Sequence, residues 1–138
     1  MNNIRLFQPS LGLKELKSVK KVFKRSWIGY GTEVQKFEAE WSEYFKVKHS
    51  IAVNSCTAAL HLALFCNNFK KEKKVLVPAI TFSATAAAVL YCGLVPVFVD
   101  INKNDLNMNI DDLKKKFTKD CVAIMPVHFG GHPCEMDK

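Results

Sequence analysis

The sequence predicts an α/β protein of three layers, αβα, with a mostly parallel sheet. Short β-branched runs at 75–77, 95–99 and 121–125 alternate with segments whose apolar residues recur at helical spacing. That alternation is the pattern of parallel strands joined by crossover helices. Each strand run also ends in a turn, so the turns would gather beyond the carboxyl ends of the strands, where open parallel sheets hold ligands. A chain of 138 residues is long enough to bury one core.

Taken in order, residues 11–25 alternate Leu13, Leu16, Val19, Val22 and Phe23 with Lys14, Lys17, Lys20, Lys21, Lys24 and Arg25. This is an amphipathic helix with a solvated basic face. Two glycines in the loop Trp27-Ile28-Gly29-Tyr30-Gly31-Thr32 suggest backbone dihedrals that other residues avoid. Thr32 is expected to cap a second helix with Val34, Phe37, Ala39, Trp41, Tyr44 and Phe45 on its apolar side, ending near Lys46–Lys48. Residues 51–54 read as a strand ending at Ser55 or Cys56, with Thr57 opening a helix to about Cys66 that buries Leu60, Ala63 and Leu64. Such a turn leaves the first N–H groups of the helix free beside the positive end of its dipole. Ser and Thr caps alone can satisfy them, or a phosphate can bind there.

After the basic loop 67–74, the strand at 75–77 stops at Pro78. Residues 79–83 form a loop at its carboxyl end, 84–91 an alanine-rich helix stopped by Gly93, and 95–99 a strand closed by Asp100. The stretch 75–99 carries no charge and exceeds the roughly 20 residues that cross a bilayer. Pro78, Thr81, Ser83, Thr85, Gly93 and Pro96 instead mark strand ends and turns, which favours strand, helix, strand inside the fold. Residues 102–109 are a polar turn region. Asp111 and Asp112, then Lys114–Lys116, match the two ends of a further helix dipole, and the strand 121–125 leads into Pro126–Gly131 on the ligand side.

The formal charge of +7 raises a nucleic-acid reading, but the basic residues sit on one solvated helix face without aromatic interleaving. An anionic substrate would be attracted equally, and neither nucleic acid nor membrane is expected as a partner. Cys56, Cys66, Cys92, Cys121 and Cys134 are odd in number and form no C-x-x-C pair, which fits reduced thiols. His128, His132 and Cys134 lie close in sequence, yet a metal would need a fourth ligand, so an ordinary loop is expected and no metal. Arg5, Lys14, Glu15 and Lys17 come too early for a secretory signal, which makes a cytoplasmic location the default.

Read together, SCTAALHLAL, VPAITFSATAAAVLYCGLVPVFVDI and AIMPVHFGG, with the glycine loop and Phe37-Glu38 before them, resemble the DegT/DnrJ/StrS family of sugar aminotransferases, from about Trp27 onward. The resemblance implies pyridoxal 5'-phosphate (PLP) as cofactor and the aspartate-aminotransferase type of fold. Residues 1–138 would then be a single partial domain, the N-terminal part of the large domain, with 1–32 as an N-terminal helix and glycine loop. In the resembled family a Ser-Gly-Thr turn holds the cofactor phosphate, and Ser55, Cys56 and Thr57 match it except for Cys56 at the glycine. Phe82 stands where an aromatic ring stacks on the cofactor, unless it is a core phenylalanine. Tyr30 is a candidate neighbour of the substrate or a packing aromatic, and His128 a candidate substrate contact or a bridge between loops.

No catalytic residue is assigned in this chain. The family's acidic partner of the ring nitrogen and its Schiff-base lysine follow the last motif seen here, so the chain alone is expected to be inactive. It is also expected to leave a sheet edge and an apolar face uncovered. The whole enzyme would move an amino group, usually from glutamate, to a nucleotide-linked keto sugar in amino-sugar or cell-surface polysaccharide synthesis, as a homodimer. The rivals are a PLP-dependent sugar dehydratase of the same fold, with the lysine replaced, and a non-catalytic basic binding module.

Overall fold

The computed structural model describes residues 8–138. Residues 1–7, which hold Arg5 and the start of the expected segment 1–32, lie outside the described residues. The chain forms two compact units that meet in sequence between Ala52 and Val53.

The first unit carries α1 (Leu13–Lys24) and α2 (Thr32–Phe45). Glu15 Oε2 accepts the N–H of Gly12 at 2.6 Å and closes the start of α1. The apolar sides predicted for both helices exist, but Leu13, Leu16, Val19 and Phe23 on α1 face solvent. On α2, the rings of Phe37 and Trp41 lie 5.6 Å apart and those of Trp41 and Phe45 4.6 Å, an equally uncovered aromatic row. Gly31, rather than Thr32, is the N-cap of α2, because the Thr32 hydroxyl turns back to accept Arg25 Nη1 at 3.3 Å. The helix ends at Phe45 with Lys46 in the left-handed region, and the bond from Val47 N to Ser42 O closes it.

Gly29 and Gly31 do not occupy the left-handed region, against expectation. The need at Gly31 is for space: a Cβ there would lie 2.9 Å from Cδ1 of Trp27. The indole Nε1 of Trp27 donates to the carbonyl of Tyr30 at 2.8 Å, so the loop is folded onto its own tryptophan. Residues 51–54 do not form the expected strand. Their backbone finds no ladder among the described residues; the N–H of Ala52 goes instead to Glu38 Oε1 at 2.7 Å, and Ile51 is 82% exposed.

The second unit holds α3 (Cys56–Phe65), β1 (Lys74–Pro78), α4 (Ala84–Tyr91), β2 (Val95–Val99), α5 (Ile110–Lys116) and β3 (Cys121–Ile124). The three strands are parallel in the order β2-β1-β3. Period-two alternation along β1 sends Val75 and Val77 to one face, where they pack with Leu64 of α3, Ala88 and Val89 of α4, and Leu94. Leu76 faces the other way, with Val99, Met108 and, partly buried, Leu113 of α5. Helices therefore lie on both faces, the predicted three layers. The uncharged stretch 75–99 is β1, α4 and β2, and no helix among the described residues is long and apolar enough to cross a membrane.

The stripe that α3 turns inward is Thr57, Leu60, His61 and Leu64; Ala63 faces out, contrary to expectation. Gly93, at φ 69°, ends α4 in a left-handed turn closed by the bonds Gly93 N to Leu90 O and Leu94 N to Val89 O. Pro96 is tolerated because β2 is an edge strand. β2 and β3 are both open edges among the described residues, as the expectation of an uncovered edge required.

Candidate functional site

The parallel order brings the carboxyl ends of β1, β2 and β3 to one end of the second unit. The N–H of Ala79 donates to the carbonyl of Val99 at 2.8 Å, and that of Met125 to Leu76 at 2.9 Å, so the three following loops start side by side. The last turn of α3 meets the opposite end: Leu64 and Phe65 share a small cavity with Cys92 and Leu94, just before β2. An α-helix of this length runs about 15 Å, so the first turn of α3 points back toward the carboxyl ends.

Ser55 is the N-cap of α3, in extended conformation, and its Oγ accepts the N–H of Ala58 at 3.2 Å. A cap of this kind stabilises a helix by about 1 kcal/mol. It leaves the N–H groups of Cys56 and Thr57 with no carbonyl four residues back to receive them, at the positive end of the helix. Helix α3 starts at Cys56, one residue earlier than expected. Cys56 therefore has helical geometry without positive φ, and a residue with a Cβ stands there without strain. Ser55 and Cys56 are exposed and Thr57 half-buried.

Phe82 lies in the loop between β1 and α4. Its carbonyl accepts the N–H of Thr85 at 3.0 Å, while Thr81 and Thr85 join their hydroxyls at 2.8 Å, so the backbone of the loop is fixed. The ring itself is 78% exposed among the described residues and packs into neither apolar cluster of the second unit.

His128 follows β3, in the same group of loops, and its Nδ1 accepts the N–H of Cys134 at 3.0 Å. A backbone amide can only donate, so the neutral ring carries its proton on Nε2, as an outward donor. His128, His132 and Cys134 do not gather as a metal site, and no cluster of three His, Cys, Asp or Glu is present among the described residues. The thiol of Cys134 donates to the carbonyl of Val127 at 3.2 Å.

Two polar residues, one in each unit, hold loops without the sequence having assigned them a role. Asn107, 3% exposed, accepts the N–H of Phe129 at 3.0 Å and donates to the carbonyls of His132 and Pro133 at 3.2 and 3.1 Å. In a stretch of asparagines and aspartates nothing local marks it. Glu38 is the other: Oε1 accepts from Ala52 and Oε2 from the hydroxyl of Tyr30 at 2.8 Å. The carboxylate beside the phenol pushes the Tyr30 pKa up from its ordinary value. The second unit thus brings Ser55, Cys56, Thr57, Phe82 and His128 to one end, whereas Tyr30 and Glu38 belong to the first unit. A groove of about 490 Å³ in that unit is lined by Val22, Trp27, Ile28 and Val34 with Arg25, on the loop that carries Tyr30.

Residues 9–138 match the model of the DegT/DnrJ/EryC1/StrS aminotransferase family. GDP-perosamine synthase of Escherichia coli O157:H7 is 37% identical over 100% of the chain and 38% of its own length. Among solved structures, Spr1654 of Streptococcus pneumoniae, described as a sugar aminotransferase and in its PLP form, superposes with a TM-score of 0.90 at 30% identity, over 99% of this chain and 35% of that one. The GDP-4-keto-6-deoxy-D-mannose-3-dehydratase of E. coli with bound hydrated PLP gives 0.89 at 31% identity, over 99% and 37%. The chain spans little more than a third of the length of these relatives.

Proposed function

Because the chain belongs to the DegT/DnrJ/EryC1/StrS aminotransferase family, we propose that the whole protein is a PLP-dependent aminotransferase that moves an amino group from an amino acid, glutamate by preference, to a keto sugar carried on a nucleotide. The product would serve amino-sugar or cell-surface polysaccharide synthesis. The observation that carries this function is the first turn of α3, capped by Ser55 and presenting two free N–H groups at the carboxyl end of a parallel sheet. The similarity to GDP-perosamine synthase and to a PLP-form structure supports it.

The residues present fit the cofactor. Ser55 and Thr57 would offer hydroxyls, and Cys56 and Thr57 their N–H groups, to its phosphate; the exposed ring of Phe82 would lie against its ring face. Bound there, PLP supplies an aldehyde that takes up an amino group and a ring that draws electrons from the neighbouring carbon. The part of this chain would be to hold and orient the cofactor, and the Nε2–H of His128 would donate to an oxygen of the substrate. The charge of +7 favours an anionic substrate such as a nucleotide sugar. No residue of this chain is assigned the proton transfers, and we read these 138 residues as an N-terminal segment of the large domain, inactive alone. We read the whole protein as a cytoplasmic homodimer.

The test is to add PLP to the full-length protein, reduce with borohydride and take the intact mass. A covalent pyridoxyl adduct supports the aminotransferase. A cofactor absorbance that survives dialysis without an adduct favours a second function, sugar dehydration, which the match to the E. coli dehydratase keeps in view. If neither is seen, the phosphate site is wrong, and steeply salt-dependent binding to nucleic acid becomes the check for a basic binding module.

A further inference from the structure

An imidazole nitrogen accepts a hydrogen bond only while it is bare, and a protonated ring has two donors and no acceptor. At His128 this makes a loop contact depend on charge. The half-buried ring accepts the backbone N–H of Cys134 on Nδ1 at 3.0 Å, six residues further on, and so joins the two ends of the loop 128–134. The carboxamide of Asn107 ties the same loop from outside, taking the N–H of Phe129 and giving its protons to the carbonyls of His132 and Pro133. A carboxamide does not titrate where histidines do. One lock on this loop responds to protons and the other does not.

We infer that His128 is a proton-sensitive latch: when its ring takes up a proton, Nδ1–H faces the N–H of Cys134, that hydrogen bond breaks, and the end of the loop at Cys134 loosens while Asn107 keeps Phe129 in place. Opening takes up a proton, so closure is favoured at higher pH and given up as pH falls. The thiol of Cys134 donates to the carbonyl of Val127 at 3.2 Å, but a thiol is a weak donor and does not replace the lost backbone bond.

The charged groups around the loop are otherwise engaged. Glu135 pairs with Lys138, Asp105 accepts the N–H of Asn107 at 2.9 Å, and Asp100, at the end of β2, accepts that of Ile101 at 2.8 Å. His132 is exposed, and the loop 79–83 carries no titratable side chain. None of the ion pairs among the described residues includes His128. The imidazole is therefore the group whose protonation directly removes an acceptor from the loop. The latch needs neither cofactor nor substrate, and its failure would leave the proposed aminotransferase standing.

Two readouts on the full-length protein, without added ligand, test it. Nitrogen-15 spectra of the histidine rings, with His128→Ala identifying the signal, should show a neutral ring protonated on Nε2 at about pH 8. A proton on Nδ1 overturns the latch. Hydrogen exchange, read amide by amide and corrected for the intrinsic effect of pH, then compares about pH 8 with about pH 5, on either side of the ordinary histidine value. Protection of the Cys134 amide should fall about tenfold at the lower pH, the value of one hydrogen bond, while that of Phe129 holds. His128→Asn sets a non-titrating oxygen near the place of Nδ1 and should keep Cys134 protected at both pH values. His128→Ala should leave it unprotected at both. Equal protection of Cys134 at the two pH values in the wild type, a parallel fall at Phe129, or a fall that persists in His128→Asn would each overturn the latch.

Discussion

Asn107 Oδ1 accepts the backbone N–H of Phe129 at 3.0 Å across 22 residues of chain, while the same carboxamide gives its two protons to the carbonyls of His132 and Pro133. One buried side chain thus closes the loop from which His128 is presented. Asn107→Asp keeps the shape but removes both donors and introduces a carboxylate at a buried position. We expect a loss of about 1–3 kcal/mol in urea unfolding, with faster hydrogen exchange at Phe129. Unchanged stability would mean that the loop does not depend on this residue.

Gly31→Ala should be costly and Gly29→Ala harmless. A Cβ at Gly31 would meet Trp27 Cδ1 at 2.9 Å, whereas at Gly29 the nearest atom is 4.0 Å away. Moving Trp27 breaks its bond to the carbonyl of Tyr30. We expect about 1–3 kcal/mol from overpacking at Gly31 and a shift in tryptophan emission, neither of them at Gly29. Equal behaviour of the two variants would refute this account of the loop.

Phe82→Ala should separate stability from ligand binding. A core phenylalanine cut to alanine costs about 3–5 kcal/mol, but this ring is in solvent, and we expect the unfolding free energy to stay within about 0.5 kcal/mol. Retention of PLP on dialysis of the full-length protein should weaken at the same time. A large stability loss with unchanged retention would return Phe82 to the core.

Asp112 gives an acid-side prediction. It accepts the N–H of Asp100 at 2.7 Å and pairs with Lys116 at 2.7 Å, and these partners, the N–H foremost, hold its carboxyl below the ordinary aspartate value. The unfolded chain then binds more protons in the window between the folded and ordinary values. The stability from this group is present above about pH 4 and is lost as pH falls through the lowered value. Asp112→Asn should be less stable at neutral pH and should show a flatter decline in urea midpoints as pH falls below about 4. Parallel curves for the two proteins would exclude this role.

The second unit was legible because its signals are local. β-branched runs, an alanine-rich helix and a glycine stop each act on their own stretch of chain, and α4 and β2 have the bounds that the sequence predicts. Residues 51–54 were misread because an apolar run states only that a strand is possible. A strand also needs a neighbour, and here the Ala52 N–H takes a carboxylate. Gly31 was assigned a backbone reason when the constraint comes from a side chain four residues earlier. Of the candidate site, the helix N-terminus at Ser55 could be read from hydroxylated residues before a helical period, displaced by one position. The contacts of Asn107 and of Glu38, the latter noted only as part of Phe37-Glu38, could not, because their partners are distant in sequence.

β1 lies between β2 and β3, yet it precedes both in sequence. As the chain leaves the ribosome, the central strand emerges first and must wait for a neighbour. At about 5–20 residues per second, the roughly twenty residues from β1 to the end of β2 take about one to four seconds. β1 with α4 and β2 can then close one side of the sheet while β3 is still being made. Among these three strands, assembly can therefore proceed outward from β1, and the loop that Asn107 ties down forms after the β1–β2 pair.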